Sequence, residues 1–312
     1  MDRTLPPICL LDPLSLVGRE LLRLLERRRA RVAYRHTLAG DEHQVAELGG
    51  QAELVPPLGE PEDVPGDAVL VLTAEPAPGR REILEELLEQ RPGLPVLDLS
   101  PTAVLTGPTV AAGPLPAPPD PPRVRVASPV AAALHHLSGP LRELGLAGLT
   151  AVVEVPASAS GTEWIERLAG QAAARLAGRP PEPLPDGTVL AFNLVTGTDP
   201  ALAAEVAQLL PGVPAAVTVA RPGTFHGWAV HLGAAFSRPV DTGSVVAAWR
   251  ASGRIEVVSG RLELGAATER DEVLVSPPSL SADGRFLVTV AALDGLRVGC
   301  AATALEILPT LL

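Results

Sequence analysis

The stretch ICLLDPLSLVGRELL, Ile8–Leu22, decides the fold that we predict for this chain. An apolar run is followed by a short turn and then by an amphipathic helix that continues through LLRLLERRR. This order is typical of a nucleotide-binding βαβ unit, in which glycine amides at a helix N-terminus hold a phosphate. Here the turn carries Asp12, Pro13 and Ser15, and only Gly18 remains of the glycines that such a turn needs. The stretch therefore predicts the architecture of a dinucleotide-binding domain without its usual phosphate loop.

The alternation of strands and helices continues over roughly the first 125 residues. The strand candidates are ICLL, RVAYR, AVLVLTA and LPVLDLS, and the helices between them are GRELLRLLERR and REILEELLEQR. Strands that alternate with helices predict a parallel sheet, and an almost wholly apolar strand is typical of one covered on both faces. The Pro-rich passage GPLPAPPDPP, Gly113–Pro122, is interpreted as a connection between domains.

The second half of the chain favours an α+β domain. Ser128–Leu144 and Gly161–Gly178 have helical patterns, and the chain ends in the helix LRVGCAATALEILPTLL. The segments AAVTVARPGTFHGWAVHLGAAFS and RFLVTVAAL are rich in Val and Ala with partial alternation. This pattern fits strands of a mostly antiparallel sheet.

Composition excludes several classes of function. The 312 residues have 46% hydrophobic and 20% charged side chains, which indicates a globular protein. The net charge of −11 argues against nucleic-acid binding, because phosphates would be repelled. No secretory signal and no apolar run of roughly 20 residues is visible, so we expect a cytoplasmic protein without a membrane partner.

The reactive residue types are few. All 25 basic residues are Arg, so a Schiff-base lysine and a P-loop lysine are excluded. The two cysteines, Cys9 and Cys300, lie far apart in sequence and suggest neither a disulfide framework nor a zinc site. The adjacent His135 and His136 cannot share a helix face, so we expect no metal there.

Several segments, taken in order, resemble the aspartate-semialdehyde dehydrogenases. DPLSLVGRELLRLLERR resembles the loop and helix GATGAVG of that family, and VLDLSPTAV resembles its strand with D-N-S-S. ASPVAAAL resembles N-P-N-C-S/T, VVEVPASASG resembles S-T-Y-Q-A-V-S-G, and DGLRVGCAATALEIL resembles D-N-L-R-K-G-A-A. AFNLV and VARPGTFHGWAV match later signatures, so the resemblance covers nearly the whole chain.

The resemblance implies a two-domain enzyme that reduces an acyl phosphate with NADPH through a cysteine thioester. It implies a doubly wound, Rossmann-like NAD(P)-binding domain at 1–126 plus 293–312, and an α+β dimerisation domain with a mostly antiparallel sheet at 127–292.

At the positions that the resemblance assigns to the catalytic residues, this sequence has side chains that cannot perform catalysis. The nucleophile position falls on Ala131, with Val130 and Ala132 on either side, and the active-site Gln falls on Ala157. The general-base His falls on Trp228. An alkyl group cannot attack a carbonyl carbon, and an indole cannot accept a proton. We therefore expect no catalytic residues at the family positions.

The charged positions of the family are mostly lost as well. A phosphate-side Arg falls near Val104, and a Lys before the last helix falls on Val298. The resemblance retains a substrate-binding Arg as Arg221. Two interpretations of Arg221 stay open: it binds a ligand, or it is structural and pairs with a nearby carboxylate.

Three other residues have side chains that could substitute for the missing catalytic groups. Cys300 begins the last helix, where a dipole can lower a thiol pKa, although a small buried side chain is the plainer interpretation. Cys9, inside the first strand, is expected in the core. His226 takes the place of a family Arg two residues before Trp228, so on a strand both would face the same side. It would act as a base or simply hold a backbone carbonyl.

The cofactor site is expected to be vestigial. Ser15 and Leu16 retain backbone amides next to the packing glycine Gly18, whereas Asp12 places a negative charge at the phosphate position. Glu75 places a second negative charge in the loop after AVLVLTA. Asp12, Glu75 and Glu154 have no metal-ligand spacing. We expect no cofactor, or NADP if this site still works.

The sequence thus predicts a non-catalytic, aspartate-semialdehyde dehydrogenase-like protein that acts as a homodimeric scaffold or regulatory paralogue, pairing with itself or with an active homologue. The alternative is an active NADP-dependent semialdehyde dehydrogenase of amino-acid biosynthesis. A third hypothesis is a sensor that binds a small acid at Arg221.

Overall fold

The computed structural model describes residues 7–28, 30, 32–48, 51–101, 104–184 and 186–311. Contacts divide the chain into two compact units, of which unit 1 is Met1–Ser128 with Gly299–Leu312 and unit 2 is Pro129–Val298. The boundaries predicted from the sequence are 126/127 and 292/293, and this division by contacts lies at 128/129 and 298/299. Arg31 of the predicted strand RVAYR, and Thr102 and Ala103 of VLDLSPTAV, lie outside the described residues.

The elements follow the predicted order closely. Those up to the end of the first sheet are β1 (Ile8–Leu11), α1 (Leu16–Arg27), β2 (Val32–His36), β3 (Gln44–Leu48), β4 (Gln51–Val55), β5 (Val69–Leu72), α2 (Pro78–Gln90), β6 (Val96–Asp98), β7 (Thr109–Val110) and β8 (Arg123–Val126). Those that follow are α3 (Pro129–Ser138), β9 (Leu146–Glu154), α4 (Thr162–Leu176), β10 (Leu194–Gly197), α5 (Pro200–Leu209), β11 (Ala215–Pro222), β12 (Trp228–Phe236), α6 (Thr242–Ala251), β13 (Ile255–Val257), β14 (Val273–Val275), β15 (Ser279–Leu280), β16 (Phe286–Leu293) and α7 (Ala302–Ile307).

Unit 1 is built on a parallel sheet with the strand order β2-β1-β5-β6-β8-β7. Alternate residues of β1 enter different hydrophobic clusters: Ile8 and Leu10 pack with leucines of α1 and with α7, whereas Cys9 and Leu11 pack with leucines of α2. A strand whose two faces are both covered by helices has this pattern. The predicted doubly wound sheet is therefore confirmed; a small antiparallel pair, β3–β4, lies apart from it.

The turn between β1 and α1 is closed by its own side chains. The Ser15 hydroxyl caps α1 by accepting a hydrogen bond from the Gly18 amide at 2.9 Å. A Cβ atom on Gly18 would lie 2.4 Å from the carbonyl oxygen of Asp12. Glycine is therefore required here because the helix approaches the preceding backbone too closely for any side chain.

The Pro-rich passage Gly113–Pro122 does not connect the two units, and that prediction is wrong. It lies between β7 and β8, which are neighbours in the same sheet. The Gly113 amide donates to Glu306 Oε2 and the Leu115 amide donates to Thr310 Oγ1, so the passage is tied to the C-terminal segment of its own unit. Proline has no backbone N–H and therefore cannot extend a β-ladder, but the other residues of the passage can still donate single hydrogen bonds.

Unit 2 is built on a mixed, mostly antiparallel sheet with the order β10-β11-β9-β12-β16-β14-β13, and β15 pairs with β16. The pairs β11–β9 and β13–β14 are parallel and the others are antiparallel. Helix α5 packs against α3 and β11, and α6 packs against β13. This arrangement confirms the predicted α+β class of the second domain. No helix in the described ranges is both long and apolar enough to span a bilayer.

Candidate functional site

Three strand ends of unit 2 meet at one edge of the mixed sheet. Strand β12 lies between β9 and β16 and is antiparallel to both. The segments that follow β9 and β16 therefore flank the segment that precedes β12. Ser158 follows β9, His226 precedes β12, and Asp294 follows β16 directly.

These three side chains are in contact. Ser158 Oγ lies 3.0 Å from His226 Nδ1, and Asp294 Oδ1 lies 3.3 Å from His226 Nε2. His226 is in the loop before β12, because the strand begins only at Trp228. The prediction that His226 and Trp228 share the face of a strand is therefore wrong. We call Ser158, His226 and Asp294 the serine cluster.

The carboxylate of the serine cluster is held in a fixed orientation. Asp294 is buried, and it accepts hydrogen bonds from the amides of Leu296 and Glu269, both at 2.9 Å. Burial by itself raises the pKa of Asp294, but hydrogen bonds from His226 and from these two amides outweigh burial and lower the pKa below its ordinary value. The carboxyl is thus ionised at neutral pH and faces one ring nitrogen of His226.

The turn that carries Ser158 is bonded through its backbone to the loop that carries His226. Ser158 belongs to a short 3₁₀ turn, Ala157–Ser160, and its amide donates to the Phe225 carbonyl at 3.0 Å. The preceding amide, of Ala157, donates to the Thr224 carbonyl at 2.9 Å. These two bonds fix the turn to the loop that carries His226. Ser158 is buried, whereas His226 exposes 29% of its side chain.

Arg221, the retained charged residue, lies beside the serine cluster. Its guanidinium is 5.2 Å from the centroid of the Trp164 ring and donates to Ser160 Oγ at 3.4 Å. Within the described ranges no carboxylate oxygen lies within 4.0 Å of it, so it forms no ion pair there. Hydrogen bonds from Thr188 and, to a smaller degree, the charge of Arg221 lower the pKa of the exposed Asp186, so a carboxylate is near Arg221 and both interpretations of this residue stay open.

The positions that the resemblance assigns to catalysis are buried. Ala131 lies in α3 and is 1% exposed, and its neighbours Val130 and Ala132 are buried as well. Ala157 packs in a small apolar cluster of unit 2. Trp228 is buried, and its ring covers Gly295 so closely that a Cβ there would lie 2.1 Å from the indole nitrogen.

The β1–α1 turn of unit 1 satisfies part of its own amide donors. The Ser15 amide donates to the Asp12 carbonyl and the Gly18 amide to the Ser15 hydroxyl, so these two donors are used within the turn. The Ser15 hydroxyl in turn donates to Thr73 Oγ1 at 2.9 Å. Pro13 has no amide donor. A dinucleotide site needs such amides to point at the ligand.

The remaining candidates lie elsewhere. Cys9 is in the core, as predicted, and burial together with the charge of Asp63 raises the pKa of its thiol to about 12. Cys300 is buried in the π-helical turn Arg297–Ala301 before α7. Val104 is half-buried and Val298 is buried.

The polar candidates outside the serine cluster have ordinary structural partners. Glu75 is exposed and pairs with Arg81, and Glu154 pairs with His231 at 3.1 Å. His136 is buried, and burial with the charges of His135 and Arg254 lowers its pKa to about 4. Over the part of the chain that the structure describes, no group of three or more His, Cys, Asp or Glu residues could hold a metal ion.

Reasoning from the sequence missed two members of the serine cluster. Ser158 directly follows Ala157 in the quoted segment VVEVPASASG, and Asp294 opens DGLRVGCAATALEIL. No spacing rule connects them with His226, because the three residues come from segments far apart in the chain. The signal that could have found them is strand pairing: Trp228 is opposite Leu293, which places Asp294 beside the loop of His226.

Comparison with known proteins gives structural matches alone. No protein-family model and no curated protein matches the sequence. Aspartate semialdehyde dehydrogenase II from Vibrio cholerae aligns with a TM-score of 0.78, 18% identity and 97% of each chain covered. A probable aspartate-semialdehyde dehydrogenase from Pseudomonas aeruginosa gives 0.79, 23% and 96% of each chain. The enzyme from Francisella tularensis gives 0.75 and 12%, covering 95% of this chain and 97% of the other. The chain therefore has the α/β fold of the aspartate-semialdehyde dehydrogenases.

Proposed function

We propose that this protein does not carry out the semialdehyde dehydrogenase reaction and that it acts as a homodimeric scaffold or regulatory protein. The observation that carries the proposal is Trp228. The resemblance puts the general base at this position, and the residue is a buried indole packed on Gly295. An indole nitrogen is a donor only and has no lone pair with which to accept a proton.

The other two positions support the same conclusion. Ala131 and Ala157 are buried, and their side chains are methyl groups. Without a thiol no thioester can form, and the family's route to an aldehyde passes through that covalent intermediate. A neighbouring residue does not replace the thiol, because Val130 and Ala132 also have only carbon side chains.

The cofactor site supports the proposal independently. The amides of Ser15 and Gly18 are already bonded within the β1–α1 turn, and Pro13 offers none. Leu16 begins α1 directly after this self-capped turn. We infer that NADP binds with reduced affinity, because two amides of the turn are already bonded within it and Pro13 offers none.

The outer face of the unit 2 sheet supports dimerisation. Phe286, Val288 and Val152 expose 44%, 49% and 43% of their surface on this face. Gly148, Gly233 and Ala235 line a groove of about 360 Å³ beside Phe286. The Phe286 ring already packs over Gly233 of its own chain, and its exposed side, together with Val288 and Val152, suits an isologous contact that a second copy would bury.

The experiment that tests the proposal titrates NADP and NAD into the full-length protein by calorimetry. In parallel, NADPH absorbance is followed with aspartate semialdehyde, phosphate and oxidised cofactor. We expect no binding heat and no reduction of either cofactor. An active bacterial aspartate-semialdehyde dehydrogenase under the same conditions is the positive control.

Tight binding of NADP together with turnover would overturn the proposal and would favour the alternative, an NADP-dependent semialdehyde dehydrogenase. Binding without turnover would contradict only the inference about the β1–α1 turn. Stabilisation of the protein by a small dicarboxylic acid, lost in Arg221→Ala, would favour the sensor hypothesis.

A further inference from the structure

We propose that Ser158 is a nucleophile that, with His226 as its base and Asp294 as a positioning residue, hydrolyses small acyl esters that carry a carboxylate. This inference goes beyond the scaffold or regulatory role and does not depend on it. It rests on groups that are distinct from the lost thiol, amide and imidazole positions at Ala131, Ala157 and Trp228.

The contacts have the pattern of an activated serine. A hydroxyl within hydrogen-bond distance of an imidazole, whose other nitrogen faces a carboxylate, is the arrangement recognised by geometry and not by chain order. Here the two distances are 3.0 Å from Ser158 Oγ to His226 Nδ1 and 3.3 Å from His226 Nε2 to Asp294 Oδ1. In the usual triad Nε2 faces the serine and Nδ1 faces the carboxylate, whereas here Nδ1 faces Ser158 and Nε2 faces Asp294. Either ring nitrogen can accept the serine proton while the other is bonded to a carboxylate.

The partners of His226 assign its tautomer. The ionised Asp294 can only accept a hydrogen bond, so in the neutral imidazole the proton lies on Nε2. The lone pair of Nδ1 then faces Ser158 Oγ, and the serine hydroxyl donates to it. A base oriented in this way is ready to take the serine proton.

The hydroxyl is not required to hold the turn in place. The backbone amide of Ser158 already donates to the Phe225 carbonyl, and the Ala157 amide donates to that of Thr224. The amides of Glu269 and Leu296 keep the Asp294 carboxylate in place independently of His226. The hydroxyl–imidazole contact is therefore additional to the bonds that stabilise this edge of the sheet.

The reaction balances with water as the only co-reactant. Ser158 Oγ attacks the ester carbonyl carbon while its proton passes to His226 Nδ1, and Asp294 stabilises the imidazolium. The C–O bond to the leaving alcohol then breaks, and the alcohol oxygen takes the proton from His226 Nδ1. Water then attacks the carbonyl carbon of the acyl-serine and gives a proton to His226 Nδ1. The bond from that carbon to Ser158 Oγ breaks, His226 returns the proton to Oγ, and a carboxylic acid and free Ser158 are released.

The neighbouring cation selects the substrate class. Arg221 donates to Ser160, two residues after Ser158, and in the described part of the chain no carboxylate oxygen lies within 4.0 Å of it. An acyl group with its own carboxylate can therefore pair with the guanidinium while its ester carbonyl is presented to Ser158. Solvent reaches the imidazole itself, since His226 exposes 29% of its side chain.

The first experiment treats the full-length protein with a small fluorophosphonate and locates the adduct by peptide mass spectrometry. We expect one adduct, on Ser158. Ser158→Ala should abolish the adduct, and His226→Gln should slow labelling at least about 100-fold, because a general base contributes two to four orders of magnitude. Hydrolysis of p-nitrophenyl acetate and of mono-p-nitrophenyl succinate is measured on the same variants. Arg221→Ala should reduce only the rate with the succinate ester.

Matched variants separate chemistry from folding. His231→Gln removes another imidazole that pairs with a carboxylate, that of Glu154, and Ser281→Ala removes a hydroxyl that donates to Asp283. Both should label at the rate of the unaltered protein. Asp294→Asn should slow labelling, and Asp294→Glu should restore part of the rate, while circular dichroism shows the same fold. Ser158→Cys keeps a nucleophile and should react rapidly with iodoacetamide only when His226 is present.

The proposal is overturned if no adduct forms, if the adduct is on another residue, or if Ser158→Ala hydrolyses the succinate ester as fast as the unaltered protein. Its failure is distinguishable from failure of the proposed function. NADP-dependent turnover of aspartate semialdehyde or a monomeric state would contradict the latter and leave Ser158 labelling unaffected.

Discussion

At the scale of single residues, Asp12 has a structural task that its position in the β1–α1 turn did not indicate. Its backbone is left-handed, with φ of 58°, and its carboxylate accepts hydrogen bonds from the Leu38 amide at 2.9 Å and the Thr37 hydroxyl at 3.0 Å. Burial raises the pKa of Asp12, and these hydrogen bonds only partly offset the rise. The folded state therefore binds a proton to Asp12 more readily than the unfolded state does.

Asp12→Asn is expected to change how stability depends on pH. Because the pKa is raised on folding, the contribution of Asp12 to stability is fully present below its unfolded pKa of about 3.9 and is lost as pH rises through the raised value. Asn keeps an acceptor oxygen for Thr37 and Leu38, tolerates positive φ and does not ionise.

The free energy of unfolding is measured by urea denaturation. The value for Asp12→Asn should therefore increase relative to that of the unaltered protein as the pH rises from about 4 to about 7. Asp12→Ala is the control, because it removes the acceptor and should be destabilised at every pH. If the difference in the free energy of unfolding between Asp12→Asn and the unaltered protein did not depend on pH, the raised pKa of Asp12 would be contradicted.

At the scale of elements, one glutamine of α4 holds an irregular segment against unit 2. Gln171 is 2% exposed, and its side-chain amide donates to the carbonyls of Glu182 and Thr188. Its side-chain oxygen accepts from the amides of Leu190 and Ala191. The described residues 182–184 and 186–191 form no helix or strand, so these bonds replace those that a strand or helix would supply.

Gln171→Ala should destabilise the protein by about 2–4 kcal/mol, because buried backbone groups lose their partners and a cavity remains. Gln90→Ala in α2 is the matched control: Gln90 is exposed and bonds only to Glu86 one turn away, so its loss should cost less than about 0.5 kcal/mol. Chemical denaturation measures both variants. Equal costs would show that the bonds of Gln171 do not support the segment.

At the scale of the whole molecule, the proposed dimer makes a direct prediction. The double variant Phe286→Arg, Val288→Arg places two charges on the outer face of the unit 2 sheet, which a second copy would have to bury. Sedimentation should show a dimer for the unaltered protein and at least about 100-fold weaker association for the variant. Leu54→Arg, on the exposed β3–β4 pair, is the control and should remain dimeric. A monomeric unaltered protein would contradict the proposal.

The extent of the prediction from sequence differed between fold and site. The continuous apolar run AVLVLTA predicted a strand covered on both faces, and in the structure Val69 and Val71 enter one hydrophobic cluster while Leu70 and Leu72 enter the other. The Pro-rich passage Gly113–Pro122 was misassigned because proline content indicates irregular structure without indicating what the segment contacts. His226 was singled out, but its partners Ser158 and Asp294 were not.

The sequence alone was enough to predict the parallel sheet of unit 1, the α+β class of unit 2 and the alkyl and indole side chains at Ala131, Ala157 and Trp228, because periodicity and residue chemistry are local properties. Only the tertiary structure decided that Ser158 and Asp294 meet His226. The ends of β9, β12 and β16 come together through antiparallel pairing between distant segments, and register of that kind is set by the folded sheet and not by the residues next to each side chain.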